Sequence, residues 1–309
     1  MQFGNPASAG AVAAPGRRSR LAAALAAGAL WLAAALAIGP AADALAQQAP
    51  AQDGVTVGER SRVARLVSAE KLEREASDRY REILREAASK RALAANDHPQ
   101  LKRLRAIAQR IVPHAARLNE RAPQWRWEVN LIASRQVNAF CMPGGKIAFF
   151  SGILETLELN DDEVAAVMAH EIAHALREHG RERAAKSAIA AGVTIGASIL
   201  SQLMGYGDLG GQLASAGAQF TLLKFSRGDE TEADLVGMDL AARAGFDPRA
   251  GISLWQKMSA VSTKQPPEWF STHPSHASRI DEIRRNVDKT LPLYAQATGR
   301  RVESLPPYR

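Results

Sequence analysis

One cysteine, Cys141, occurs in 309 residues. No intramolecular disulfide can form, so packing, helped at most by a metal, has to hold the fold together. Aromatic side chains are sparse, at 6%. No dense block of lysine and arginine is interleaved with them, so the usual footprint of a nucleic-acid partner is missing despite a net charge of +7. The basic excess is mixed with acidic residues along the chain and reads as a solvated surface. No internal repeat is evident, which removes solenoid architectures.

Long apolar runs are also few, and the two present carry information. Arg17, Arg18 and Arg20 precede an uncharged stretch from Leu21 to Ile38, Gly39-Pro40 follows, and Ala44-Leu45-Ala46 completes the order of a secretory signal. Residues 1–46 are therefore expected to be a signal peptide and the protein to be exported, to a bacterial periplasm. Retention of the run as a membrane anchor is the alternative. The second run, Ser187 to Met204, is uncharged and spaces Gly192 and Gly196 four apart. Its serines, threonine and glutamine favour a core or membrane-apposed helix over a span, and such a surface can receive a membrane or a partner.

Between these runs the chain reads as a linker at 47–58, a charged helical segment at 59–98, a main domain at 99–289 and a loosely ordered tail at 290–309. A second helix is expected from Pro99 to about Asn119. Residues from Trp125 alternate in the strand manner, and "NAFCMPGGKIAFFSGIL" reads as strand, Pro-Gly-Gly turn, strand. Helical periodicity dominates from Asp161 onward. The expected fold class is α+β, mainly helical, with a small antiparallel sheet.

The chemistry concentrates in "AHEIAHALREHGRE", Ala169 to Glu182. His170 and His174 are four apart, so on a helix they stand about 40° apart on one face, one turn apart in height. Two imidazoles so placed can hold one zinc ion. Glu171 follows the first histidine and can take a proton from a water that the cation acidifies. Catalytic zinc needs a third protein ligand, and "FSRGDETEADLVGMDLAARAG" supplies candidates. Glu230 and Asp234 are four apart, so one carboxylate can bind zinc while the other accepts the free N–H of a ligand imidazole. Glu232 is expected on another face. His98, His114, His179 and His276 carry no spacing argument and are expected at the surface.

"HEIAH" followed by "SRGDETEAD", with "NAFCMPGG" upstream and "STHP" downstream, resembles the zinc metallopeptidase family of the HtpX, BepA, LoiP and Oma-type proteases. These are gluzincins, and the short layout is most similar to LoiP-type periplasmic members. The resemblance covers about Pro99 to Asn286. It implies a zincin-like domain with one zinc per chain, bound by His170, His174 and Glu230, with Glu171 as general base and Asp234 as the carboxylate behind the ligands. It also implies that Asn138, Ala139 and Phe140 belong to an edge strand lining the cleft, where an extended substrate docks by strand addition. Cys141 stands where a small apolar residue is expected. His273 either fills the fourth zinc position in a latent enzyme, or donates to the transition-state oxyanion, or is a loop histidine away from the metal. Arg279 either steadies the oxyanion or forms a surface salt bridge.

The implied activity is hydrolysis of unfolded or misassembled cell-envelope proteins, with membrane-surface or outer-membrane assembly partners and no nucleic acid. The alternatives are a latent, chaperone-like binder of extended chains that keeps the zinc site, and a purely structural zinc site.

Overall fold

The computed structural model describes residues 54–190, 225–262, 269–273 and 278–308. The expected signal peptide, most of the linker, and all but the first residues of the apolar 187–204 stretch lie outside them, as does His276. No helix among the described residues is long and apolar enough to cross a membrane.

Helix α1 (Ala69–Ser89) starts where the Ser68 hydroxyl accepts the Lys71 N–H (3.2 Å). Leu72, Ala76, Tyr80, Ile83 and Ala87 recur at three and four residues and form its buried stripe. Helix α2 (Pro99–Ile111) has proline in its first turn, where no N–H is required, and buries Leu101, Leu104, Ile107 and Ile111. It ends earlier than its period suggests. Residues Val112–Arg117 tighten into a 3-10 turn at Pro113, which lacks the donor that an α-helix needs there.

Three strands follow, β1 (Glu128–Ile132), β2 (Ala139–Met142) and β3 (Lys146–Phe150), in the spatial order β1-β3-β2. β2 and β3 form the expected antiparallel hairpin, but β1 pairs with β3 in parallel, so the sheet is mixed rather than antiparallel. The six residues after β1 reverse the chain while leaving room for one strand, and β3 inserts there. The thirteen residues 133–145, β2 among them, thus serve as the long connection that a parallel pair needs. β2 lies at the sheet edge. The Phe150 N–H donates to the Asn138 carbonyl (3.1 Å), so in register Phe140 and Met142 bond inward, and the Ala139 and Cys141 amides turn to the open side.

After a short helix α3 (Ser151–Thr156), helix α4 (Asp161–Leu176) carries the histidine pair. Asn160 accepts the Glu163 N–H and Glu163 reaches back to the Asn160 N–H, both at 2.9 Å, a capping box that sets its first turn. Beyond that cap almost every residue is buried, as for a helix in the centre of a domain. The chain turns at Arg177 and Glu178 into α5 (His179–Ala190).

Helix α6 (Arg227–Arg243) begins with a second capping box, Ser226 with Asp229, and packs along α4. Gly237 allows the close approach, since a Cβ there would lie 2.8 Å from the His170 backbone nitrogen. Helices α7 (Ala250–Ser262), α8 (Trp269–Thr272) and α9 (Ser278–Ala297) complete the domain. The tail is not loose from Thr290: α9 continues through Pro292 to Ala297, because Thr290, Leu293 and Ala295 are buried. The Ser253 hydroxyl lies 3.3 Å from Tyr308 Oη and donates to Glu163 (2.7 Å), so the tail reaches the capped end of α4.

Gly237→Ala should destabilise the fold by about 1–3 kcal/mol in urea unfolding, because the new methyl group meets helix backbone that cannot swing aside. Gly228→Ala on the same helix, with no atom nearer than 3.7 Å, should instead be neutral or raise stability by about 0.4–1 kcal/mol.

Candidate metal centre

The side chains of His170, His174, Glu230 and His273 converge, with one ligand-type atom from each within 4.8 Å of all the others. All four are buried, none more than 3% exposed. α4 supplies the two imidazoles, α6 the carboxylate, and the end of α8 the third imidazole. The Nε2 atoms of His170 and His174 are 3.1 Å apart, and Glu230 oxygens lie 3.7 and 3.5 Å from them respectively.

Hydrogen bonding directs lone pairs to the common point. His273 Nδ1 lies 2.8 Å from the Thr272 hydroxyl and 3.3 Å from the Trp269 carbonyl; with the Thr272 hydroxyl donating to that same carbonyl (3.1 Å), a proton on Nδ1 satisfies both contacts and leaves Nε2 free. His273 Nε2 and Glu230 Oε1 are buried without a hydrogen-bond partner, a costly condition for polar atoms unless something at the centre satisfies them. Burial holds His170 below the usual histidine range, and His174 and His273 well below it, so all three are neutral, as metal ligation requires. Burial also pushes Glu230 up to about 9, although Arg279 opposes this. A cation favours the charged form. Ligands about 2.0–2.1 Å from a tetrahedral zinc are themselves about 3.3 Å apart, close to the spacings seen, so the donor set fits zinc.

Behind the ligands, Asp234 Oδ1 lies 3.0 Å from His170 Nδ1, approached off the straight N–H line. Arg279 holds Asp234 with two donors, Nε and Nη2, each at 2.6 Å, and Nη1 donates to Glu230. Burial raises the Asp234 carboxyl, but Arg279 and His170 overcome that and hold it at about 2. Arg279 is 1% exposed and lies 3.7 Å over the Trp255 ring, so it is no surface salt bridge. Its donors are engaged by carboxylates rather than directed at the place of an oxyanion.

Glu171 is buried beside the centre. Trp269 Nε1 donates to its Oε1 (2.9 Å), the Cys141 backbone N–H donates to it from the β2 edge, and burial still pushes it up to about 8. Asn138, Ala139 and Phe140 stand at that edge, where Asn138 Oδ1 accepts the Ala139 N–H (2.9 Å). Cys141 is buried, and burial pushes its thiol well above the usual range.

Several residues near the centre are not singled out by spacing. Trp269 covers Glu171, and Phe225 stacks on His174 with ring centroids 3.9 Å apart. His179 is 2% exposed rather than superficial, and Glu232, off the metal face as expected, bonds to it. A lone aromatic such as Phe225 leaves no motif, whereas His179 gives one weak signal, its place five after His174. His98 caps α2 and is exposed.

A model of peptidase family M48 matches residues 98–287. The chain is 34% identical over 223 residues to the mitochondrial metalloendopeptidase OMA1 of Schizosaccharomyces pombe, a match covering 71% of this chain and 60% of that one. It is 30% identical over 212 residues to the beta-barrel assembly-enhancing protease of Escherichia coli K12, covering 66% of this chain and 42% of that one. The Yersinia pestis protein of the same name is 34% identical over 171 residues, covering 52% and 35%. The chain thus spans less than two thirds of the length of these relatives.

Asp234→Asn should weaken zinc affinity about 10- to 100-fold in chelator competition; unchanged affinity would detach Asp234 from the centre. Cys141 should resist a thiol reagent at pH 8 in the folded protein, its raised pKa keeping it neutral, and react at once in denaturant.

Proposed function

Because the chain belongs to peptidase family M48, we propose that it is a zinc metalloendopeptidase acting on unfolded or misassembled polypeptides of the cell envelope. One observation carries this reading: two imidazoles of α4 and a carboxylate of α6 share a buried point, with Glu171 next to the first ligand in sequence and space. His170, His174 and Glu230 would hold the ion. Zinc, when bound, supplies Lewis acidity to a water and to the scissile carbonyl.

The remaining steps belong to this chain's own groups. Glu171 takes a proton from the attacking water on a carboxylate oxygen and passes it to the leaving amide nitrogen. An extended substrate lies along Asn138, Ala139 and Phe140 at the edge of β2, its backbone taking the outward amides of Ala139 and Cys141 once the Asn138 side chain and Glu171 release them, which suits clients without a fixed sequence. Asp234 and Arg279 position His170 and Glu230 rather than touch substrate.

The described conformation supports a latent form. His273 presents a free Nε2 to the ligand cluster, and Trp269 holds the carboxylate of Glu171. We read His273 as the fourth ligand of the resting state, which α8 must withdraw before substrate enters. Export to a periplasm rests on the leader-like residues 1–46, and an outer-membrane assembly partner rests on the name of the Escherichia coli relative. The alternative is a chaperone-like binder in which the sealed site never opens.

Glu171→Gln should abolish casein hydrolysis, a loss of at least about 100-fold, while zinc content stays at one per chain. Protection of an unfolded client that survives this change, in a wild type showing no chelator-sensitive cleavage, would favour the binder. His273→Ala should raise basal cleavage; a fall would assign His273 to catalysis instead.

A further inference from the structure

The metal face uses one nitrogen of each α4 histidine. The other nitrogen of His170 faces Asp234, but that of His174 faces another imidazole: His174 Nδ1 is 2.9 Å from His179 Nδ1. His179 Nε2 is in turn 2.7 Å from Glu232 Oε2, and the second oxygen of Glu232 is 2.7 Å from Arg177 Nη2. Arg177 also donates to the Gly58 carbonyl (2.5 Å).

This chain has one consistent proton arrangement. If His174 Nε2 binds a metal, its Nδ1 carries the proton and donates, so His179 Nδ1 must accept. His179 then carries its proton on Nε2, and a carboxylate is the natural acceptor for it. Each atom along the row has one role.

Helix geometry alone does not produce the contact. In an unbroken helix, five residues rotate a side chain by about 500°, which leaves it about 140° away from the first. α4 instead stops at Leu176, and Glu178 adopts φ +62°, a left-handed conformation disfavoured for a residue with a side chain. Glu178 is held there by Arg181 (2.9 Å) and Arg60 (3.7 Å). The break returns His179 to the flank of His174, buried beside Phe225.

We propose that His179 and Glu232 are positioning residues of the metal centre, orienting the His174 ring and raising its basicity through the row His174, His179, Glu232, Arg177. The inference rests on the zinc reading and deepens it. α6 thereby serves both α4 histidines: Asp234 backs His170 on one face, and Glu232 backs His174 through an intermediary on the other.

The test uses the purified full chain, loaded with zinc and separately with cobalt. His179→Ala should weaken zinc binding about 10- to 100-fold in chelator competition and change the cobalt d–d spectrum. Glu232→Gln, at a partly exposed position, should move both readouts in the same direction by a smaller amount. His179→Gln, which retains an acceptor toward His174, should recover part of the affinity. Wild-type zinc affinity and an unchanged cobalt spectrum in both His179→Ala and Glu232→Gln would overturn the proposal, even if the metal-free Tm falls. A wild-type chain that binds no zinc overturns the metal centre itself, and this proposal with it.

Discussion

The constraint on which the rest depends is the burial, at one point, of three neutral imidazoles and a carboxylate. Removing such groups from water is unfavourable unless each atom finds a partner, and their partners come from every helix around them. Asp234 faces His170, Arg279 joins Asp234 to Glu230, and the Thr272 hydroxyl and Trp269 carbonyl face His273 Nδ1. The candidate ligands are therefore oriented by a shell of fixed groups of the protein itself. A cation placed there meets directed lone pairs.

That shell requires α4 and α6 to run close together, and the approach is set by the absence of a side chain at Gly237. The sheet contributes to the core, with every residue of β2 and β3 buried, and to placement as well. Its edge strand carries an outward amide at Cys141 that points at Glu171, so the candidate base sits between the ligand helix and the strand on which a polypeptide would lie.

Much of this was legible where the cause is local. The i, i+4 spacing of His170 and His174 and the Pro-Gly-Gly hairpin turn are written in adjacent residues. Pairing across distance was not. The parallel partner of β1 depends on β3 filling a gap left by a reversal, which no alternation in β1 reveals. Arg279 looks like an ordinary charge on a helix until tertiary packing encloses it against Trp255. His179 stays hidden because the helix break before it occurs at glutamate, a residue that gives no turn signal, instead of at the glycine two positions later. Pro292 suggests an end to α9, yet buried neighbours on both sides of it carry the helix through.

Trp269 makes two attachments from one residue: its ring N–H donates to Glu171, and its backbone N–H donates to the carbonyl of Val137 (3.2 Å), just ahead of the edge strand. A displacement of α8 as a unit would break both bonds, baring the carboxylate and the approach to the strand together. For such a displacement, a ligand preferring the bared strand would also favour the uncovered acid, and by thermodynamic reciprocity whatever lifts α8 would strengthen that ligand by the same factor.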